Sequence, residues 1–358
     1  MGWLGTILVC SLTACIGAIV GTMTNVSLAW TNEQSQTPPA TSESLVIGLV
    51  NNMGDAALET TEQQFRALLE AAGVGYDIRL RLFSFPQLIR NERGRAYVAE
   101  HYEPIERLWA EELDGLIVTG AEPRATTLPD EAYWRSLTRL IERACETATP
   151  TVCSCLAAHA AVLYLDGIHR QRISRKLSGV FRCGKVGDDP LAAGLPATWR
   201  VPHSRLNTLD PAELVGAGYE IVSFSEEAGV DTFTLRRRAQ LVFYQGHPEY
   251  DAGALFREYR RDVGRFLAGT TDRYPDMPRG YFDDETVRSL DTFRERANRQ
   301  RTREILAEFP ATNARERIVT AWHDVAVRLY RNWLALVLAE RRTDALLATG
   351  RSAPVRST

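Results

Sequence analysis

Residues 151–159 run Thr151-Val152-Cys153-Ser154-Cys155-Leu156-Ala157-Ala158-His159 and mark a strand passing abruptly into a helix. A short apolar run leads into Cys155, small residues follow, and an Ala-rich helix starts near Leu156. That order is the layout of a nucleophile elbow, a tight strand-to-helix turn that exposes one side chain and sets it on a helix N-terminus. The backbone N–H of Leu156 would then donate to an oxyanion, helped by the Gly120-Ala121 turn at a neighbouring strand end. Free cysteine is also among the most buried residue types, so by itself the stretch fits a core position as well as a nucleophile.

Working outward, Ser44–Val50 (SLVIGLV), Asp114–Thr119 (DGLIVT), Pro150–Cys153 and Gln240–Tyr244 (QLVFY) are short apolar runs of the kind found in buried parallel strands. Tyr76–Phe83 (YDIRLRLF) alternates like a half-buried strand. Helical spacing is expected over Thr60–Ala72, residues 104–113 and Tyr133–Glu146. Strand–helix alternation of this sort predicts an α/β fold, an open and mostly parallel sheet flanked by helices. Between Lys176 and Arg238 the strands shorten, as at Glu220–Phe224 and Thr232–Leu235, and their order is not readable. Beyond Pro275 the chain is helical and charged, and Trp322, Val325, Leu329, Trp333 and Leu336 form a stripe expected to pack on the core. The expected division is residues 1–43 as an apolar segment with its linker, 44–275 as the catalytic domain, and 276–358 as a helical C-terminal extension.

The 358 residues carry a formal net charge of −3, which offers no basic field for nucleic acid. Arg236-Arg237-Arg238 and Arg260-Arg261 are read as solvated faces. Six cysteines, irregularly spaced and without a CxxC pair, argue against a disulfide scaffold or a zinc site, and no metal is expected. Gly2 to Asn32 holds no charged residue, enough length for a membrane contact, but no Lys or Arg precedes it. It reads as an upstream extension, an anchor or a cleaved signal, joined by a polar linker at 31–43. A cytoplasmic enzyme is the expectation, with membrane anchoring through this segment as the alternative.

The second strand end with chemistry is Gly246-His247-Pro248-Glu249-Tyr250-Asp251, directly after QLVFY. A His two residues before a Glu can face a nucleophile while the carboxylate orients its other nitrogen. Both motifs sit at carboxyl ends of predicted parallel strands, where open α/β sheets place ligands. A thiol with a His–carboxylate pair fits covalent acyl transfer.

These residues resemble the homoserine O-acyltransferase (homoserine transsuccinylase) family, a relative of class I glutamine amidotransferases. The matching stretches are DGLIVTGA (114–121), EAYW (131–134), the Cys155 turn, RKLSGVF (175–181), PHSR (202–205) and GHPEYD (246–251), with Arg261-Asp262 beyond and a weaker echo at Asn332-Trp333-Leu334. The resemblance covers roughly residues 44–275 and implies a flavodoxin-like sheet. It implies Cys155 as nucleophile, His247 and Glu249 as base pair, Arg261 for the amino-acid carboxylate, and Lys176 and Ser204 lining the site. Acyl-CoA would be a co-substrate with no cofactor, giving a succinyl or acetyl group to the hydroxyl of L-homoserine in methionine biosynthesis; the oligomeric state stays open, a homodimer being one option. Three departures stand out. The family's Met-Pro-Lys-Lys segment reads Met53-Gly54-Asp55-Ala56-Ala57 here, and His159 replaces a common Gln. Arg124 occupies the position that helps choose between acetyl and succinyl donors, and its guanidinium would pair with a succinyl carboxylate or face solvent. Serine as acceptor, a glutamine amidotransferase-like amidase and a non-catalytic binding protein are the competing readings.

Overall fold

The computed structural model describes residues 43–110, 112–310 and 322–350. The apolar segment 2–32 and nearly all of its linker lie outside them. Nine strands form one sheet: β1 (Glu43–Val50), β2 (Tyr76–Phe83), β3 (Gly115–Val118), β4 (Thr151–Ser154), β5 (Gln171–Lys185), β6 (Thr198–Thr208), β7 (Glu220–Ser225), β8 (Gly229–Arg236) and β9 (Gln240–Tyr244). Their spatial order is β2-β1-β3-β4-β9-β8-β7-β5-β6. The first five in that order are parallel, and from β8 to β6 every neighbour runs antiparallel.

The parallel half is buried on both faces, which is why its strands read as continuous apolar runs. Val118, Cys153 and Phe243 face one core, with α3 (Trp134–Glu146) and α4 (Leu156–Asp166). Ile117, Val152 and Val242 face the other, with α1 (Leu58–Ala72) and α8 (His323–Gly350). Trp333 of α8 is fully buried, and a Cβ added to Gly115 would stand 3.1 Å from its ring. The neighbouring Asn332 donates to the carbonyls of Leu191 and Ala193 at 2.8 and 2.9 Å. The buried stripe of α8 runs through Ala326, Leu329, Tyr330, Trp333, Leu334 and Val337, whereas Leu336 is only partly covered.

One expected helix is corrected. Residues 104–113 form no α-helix, only a 3-10 turn at Ile105–Trp109. Glu103 is still bridged to Phe83 of β2 and paired with Arg81, and the chain must enter β3 at Gly115, which leaves room for a single tight turn. The helix in this region lies earlier, at α2 (Glu92–His101), capped by Asn91 Oδ1 accepting from the Gly94 N–H at 2.8 Å. The remaining helices are α5 (Pro211–Gly216), α6 (Ala254–Leu267) and α7 (Asp284–Arg299). Gly179 on β5 has φ +147° because the backbone of Arg279 lies against it: Val180 N–H bonds Arg279 O and Arg279 N–H bonds Ser178 O. Among the described residues no helix is long and apolar enough to cross a membrane.

Replacing Trp333 with Ala should lower unfolding free energy by about 3–5 kcal/mol, the range for buried Trp truncation. A urea titration checks this; the midpoint should fall with the slope unchanged.

Candidate active site

Cys155 is the N-cap of α4 with φ 52° and ψ −110°, and it stands at the carboxyl end of β4. An L-residue at positive φ is strained. Here the conformation is held by the Cys155 N–H bonded to Tyr244 O of β9 at 2.7 Å. Leu156, first in the helix, has an N–H with no intrahelical acceptor. Gly120 packs so closely that an added Cβ would lie 2.8 Å from Leu156 Cβ and 3.0 Å from its nitrogen. A glycine is thus required to keep the Leu156 N–H accessible beside Ala121. The loop after Ala121 is pinned by buried Glu131, whose Oε1 accepts from Arg124 N–H at 2.7 Å and Ala125 N–H at 2.9 Å.

The Cys155 sulfur is an electrostatic neighbour of the His247 ring. His247 Nδ1 lies 2.8 Å from Glu249 Oε1, and Ser154 Oγ donates to the same oxygen at 3.5 Å. Burial pulls the imidazole down, but the Glu249 carboxylate and the Cys155 sulfur raise it well above the usual histidine value. The protonated ring is therefore favoured between its two neighbours. Tyr250 stacks on that ring with centroids 4.1 Å apart.

Glu258 of α6 organises the flank of the site, and nothing in the sequence singled it out. Its Oε2 takes Lys176 Nζ at 3.2 Å and the Ser204 hydroxyl, while its Oε1 takes Tyr250 OH at 2.6 Å. Burial pushes this carboxyl up, yet Lys176, Ser204 and Tyr250 together hold it down at about 2. Lys176 also bonds Asp262 Oδ2 at 2.8 Å. Arg261, one turn from Glu258 on α6, is partly exposed and contacts Asp262 through Nε at 3.3 Å. The structure thus brings Cys155, His247 and Glu249 together, sets Leu156 and Ala121 beside the elbow, and groups Lys176, Ser204 and Arg261 around Glu258 and Asp262. Arg124 is exposed and meets the site only through its backbone. The available signal for Glu258 was its i,i+3 spacing to Arg261 on an amphipathic helix.

Two buried polar groups behind the elbow have a structural explanation. His159 bonds Gln245 Oε1 at 2.9 Å, and burial lowers it to about 3, so it is neutral and donates to the amide. Cys183, His203 and Asp231 offer three ligand atoms within 4.8 Å of one another. Arg205 Nε, however, points at His203 Nδ1 at 3.4 Å. Arginine only donates, so Nδ1 must accept and Nε2 keeps its proton toward Asp231 Oδ1, 3.3 Å away. A metal would need that nitrogen bare and would sit beside a buried guanidinium, so these residues do not fit one.

A strained Cys at a strand–helix turn beside a His–Glu pair is an arrangement suited to nucleophilic chemistry on an α/β sheet. The sequence model of the family "Homoserine O-succinyltransferase" matches residues 21–343. The chain is 46% identical over 294 residues to the homoserine O-succinyltransferase of Rhodopseudomonas palustris, covering 82% of this chain and 88% of that one. With the Bradyrhizobium japonicum homoserine O-succinyltransferase the identity is 47% over 291 residues, covering 81% and 89%. Among solved structures, a Thermotoga maritima glutamine amidotransferase aligns with 82% of this chain and 97% of its own at 16% identity and a TM-score of 0.46. The chain belongs to the homoserine O-succinyltransferase family and is an acyltransferase.

Replacing Gly120 with Ala should lower kcat at least about tenfold by crowding the Leu156 N–H, a loss within the range for an impaired oxyanion donor; steady-state kinetics on folded protein check it. Glu258→Gln tests the flank through pH. A carboxyl lowered from 4.5 to about 2 stabilises the fold above pH 4.5, and that stability is lost as pH falls toward 2. The wild type should lose on the order of 3 kcal/mol over that window. The variant should lose less, as read by denaturant midpoints across pH.

Proposed function

We propose that the chain transfers a succinyl group from succinyl-CoA to the hydroxyl of L-homoserine through a thioester on Cys155, a step toward methionine. The observation that carries this reading is the Cys155–His247–Glu249 alignment at a strained elbow, in a chain whose relatives bear the name homoserine O-succinyltransferase. In the first half-reaction Cys155 sulfur attacks the donor carbonyl, the oxyanion turns to the N–H groups of Leu156 and Ala121, and the C–S bond to CoA breaks. His247 gives its proton to the departing CoA thiolate. In the second half the homoserine hydroxyl passes its proton to His247 and attacks the acyl carbon, and Cys155 leaves as thiolate.

Arg261 would hold the acceptor's carboxylate, for which a guanidinium fork is well shaped. Glu258, one turn before it, and the adjacent Asp262 would meet its ammonium, with Lys176 and Ser204 fixing Glu258. No cofactor enters the scheme.

Intact mass of the protein mixed with succinyl-CoA, without acceptor, should show a succinyl adduct that Cys155→Ala abolishes together with turnover. Turnover surviving in that variant would sink the covalent scheme. Serine, one methylene shorter, should be used with kcat/KM lower by about 10–200-fold, the discrimination a methylene supports. Equal use of serine would redirect the acceptor assignment, and ammonia release from glutamine would redirect the reaction.

A further inference from the structure

We propose that Arg170, together with the Tyr133 hydroxyl, receives the distal carboxylate of a dicarboxylic acyl donor and so selects succinyl over acetyl; the inference deepens the reading above and rests on it. Tyr133 opens α3, stacks on Phe85 with centroids 6.4 Å apart, and is only 5% exposed. Its hydroxyl is buried with no hydrogen-bond partner among the described residues. Folded proteins rarely leave such a group unpaired, and a bound ligand is one reason for an exception.

Arg170 follows α4 and leads into β5. It is half-buried, and among the described residues its guanidinium has neither a hydrogen bond nor an ion pair. Its electrostatic neighbours are Tyr133, Glu131 and Cys155. His159, one turn beyond Cys155 on α4, feels it too. Burial pulls Arg170 below the usual arginine value, against the opposing effect of Tyr133, Glu131 and Cys155. Glu131 lies within electrostatic range of it, but no ion pair joins the two, and Glu131 Oε1 accepts from the Arg124 and Ala125 N–H groups.

The other cations near the elbow are committed. Arg205 bonds Asn207 O at 2.6 Å, Ala228 O and His203. Lys176 is held between Glu258 and Asp262. Arg124 is exposed, so the residue expected to read the acyl chain is not the one whose charge is buried beside Cys155. An anion that enters this corner on a group attached to Cys155 would satisfy both Arg170 and the Tyr133 hydroxyl. A succinyl chain carries a carboxylate at its far end; an acetyl group carries none.

The test compares kcat/KM for succinyl-CoA, acetyl-CoA and butyryl-CoA, the last matching succinyl in length without charge. It uses wild type, Arg170→Ala, Arg170→Lys, Tyr133→Phe and Arg124→Ala, with homoserine as acceptor. Arg170→Ala should cut succinyl transfer about a hundredfold, as expected when a buried charge loses its partner. Butyryl and acetyl transfer should stay within about threefold, so the succinyl-to-butyryl ratio collapses. Arg170→Lys should retain part of the preference, Tyr133→Phe should lower the succinyl rate alone, and Arg124→Ala should leave the ratio unchanged. If Arg170→Ala does not fold, the lysine and phenylalanine variants read the same ratio. Equal losses with all three donors, or a wild type preferring acetyl or butyryl, would overturn the role of Arg170 while leaving acyl transfer intact. A wild type that accepts no acyl group from any donor removes the underlying reading and this inference with it.

Discussion

The backbone of Cys155 is the constraint on which the rest depends. A positive φ at a non-glycine residue stores about 1–3 kcal/mol and survives only where its surroundings over-determine it. They do so here from three sides. β4 lies between β3 and β9, so the Cys155 N–H reaches Tyr244 O across the β4–β9 pair. Gly120 gives Leu156 the space to begin a helix immediately. Ala157, Ala158, Ala160 and Ala161, all buried, let that helix press onto the sheet without side chains to hold it off. A β2-β1-β3-β4-β9 order with alternating faces follows as the scaffold such a turn needs, and α8 closes the far face with Trp333.

Charge is arranged around that turn with little slack. Glu258 is shared by Lys176, Ser204 and Tyr250, and Tyr250 in turn stacks on His247. The acidic flank and the base are therefore one mechanical unit, joined by an aromatic ring. On the other side Arg205 locks the His203 tautomer toward Asp231, whose second oxygen takes Ser223 and Thr232 hydroxyls at 2.7 and 2.8 Å. Buried polar contacts of this kind fix geometry more than they add stability, because desolvation offsets most of their attraction.

What the sequence made legible follows from the same physics. Parallel strands covered on both faces must be apolar throughout, so β1, β3, β4 and β9 were readable within a residue or two. Cys155 and the His247–Glu249 pair were readable because each directly follows such a strand. In the antiparallel half β7 and β8 were legible as strands, but their order and β5 were not, for a physical reason. β5 reads QRISRKLSGVFRCGK, polar over its first half, and slips register between Arg172 and Leu177, so no period survives. α2, with a single buried residue, is set by the Asn91 cap and by Asp55 accepting the Asn91 N–H at 2.7 Å rather than by an apolar stripe. Arg170 lacks a local signature and Glu258 offers only its i,i+3 spacing to Arg261, since their settings are assembled by elements far apart in the chain. His159, puzzling as a substitution, makes sense only beside Gln245, 86 positions away.

The electrostatics of His247 also give the proposed two-step reaction its direction. Glu249 and Cys155 both raise its proton affinity, against the burial that lowers it. While the sulfur is free, the imidazole holds a proton and can hand it to the departing CoA. Once the sulfur is part of a neutral thioester, its contribution vanishes and only Glu249 still opposes desolvation. The ring then sheds affinity at the moment it must be unprotonated to accept the hydroxyl proton of the acceptor. In the proposed scheme acylation would thereby convert the same residue from acid to base. The short, fixed link to Glu249 is what keeps the second state from losing its orientation when the first partner is gone.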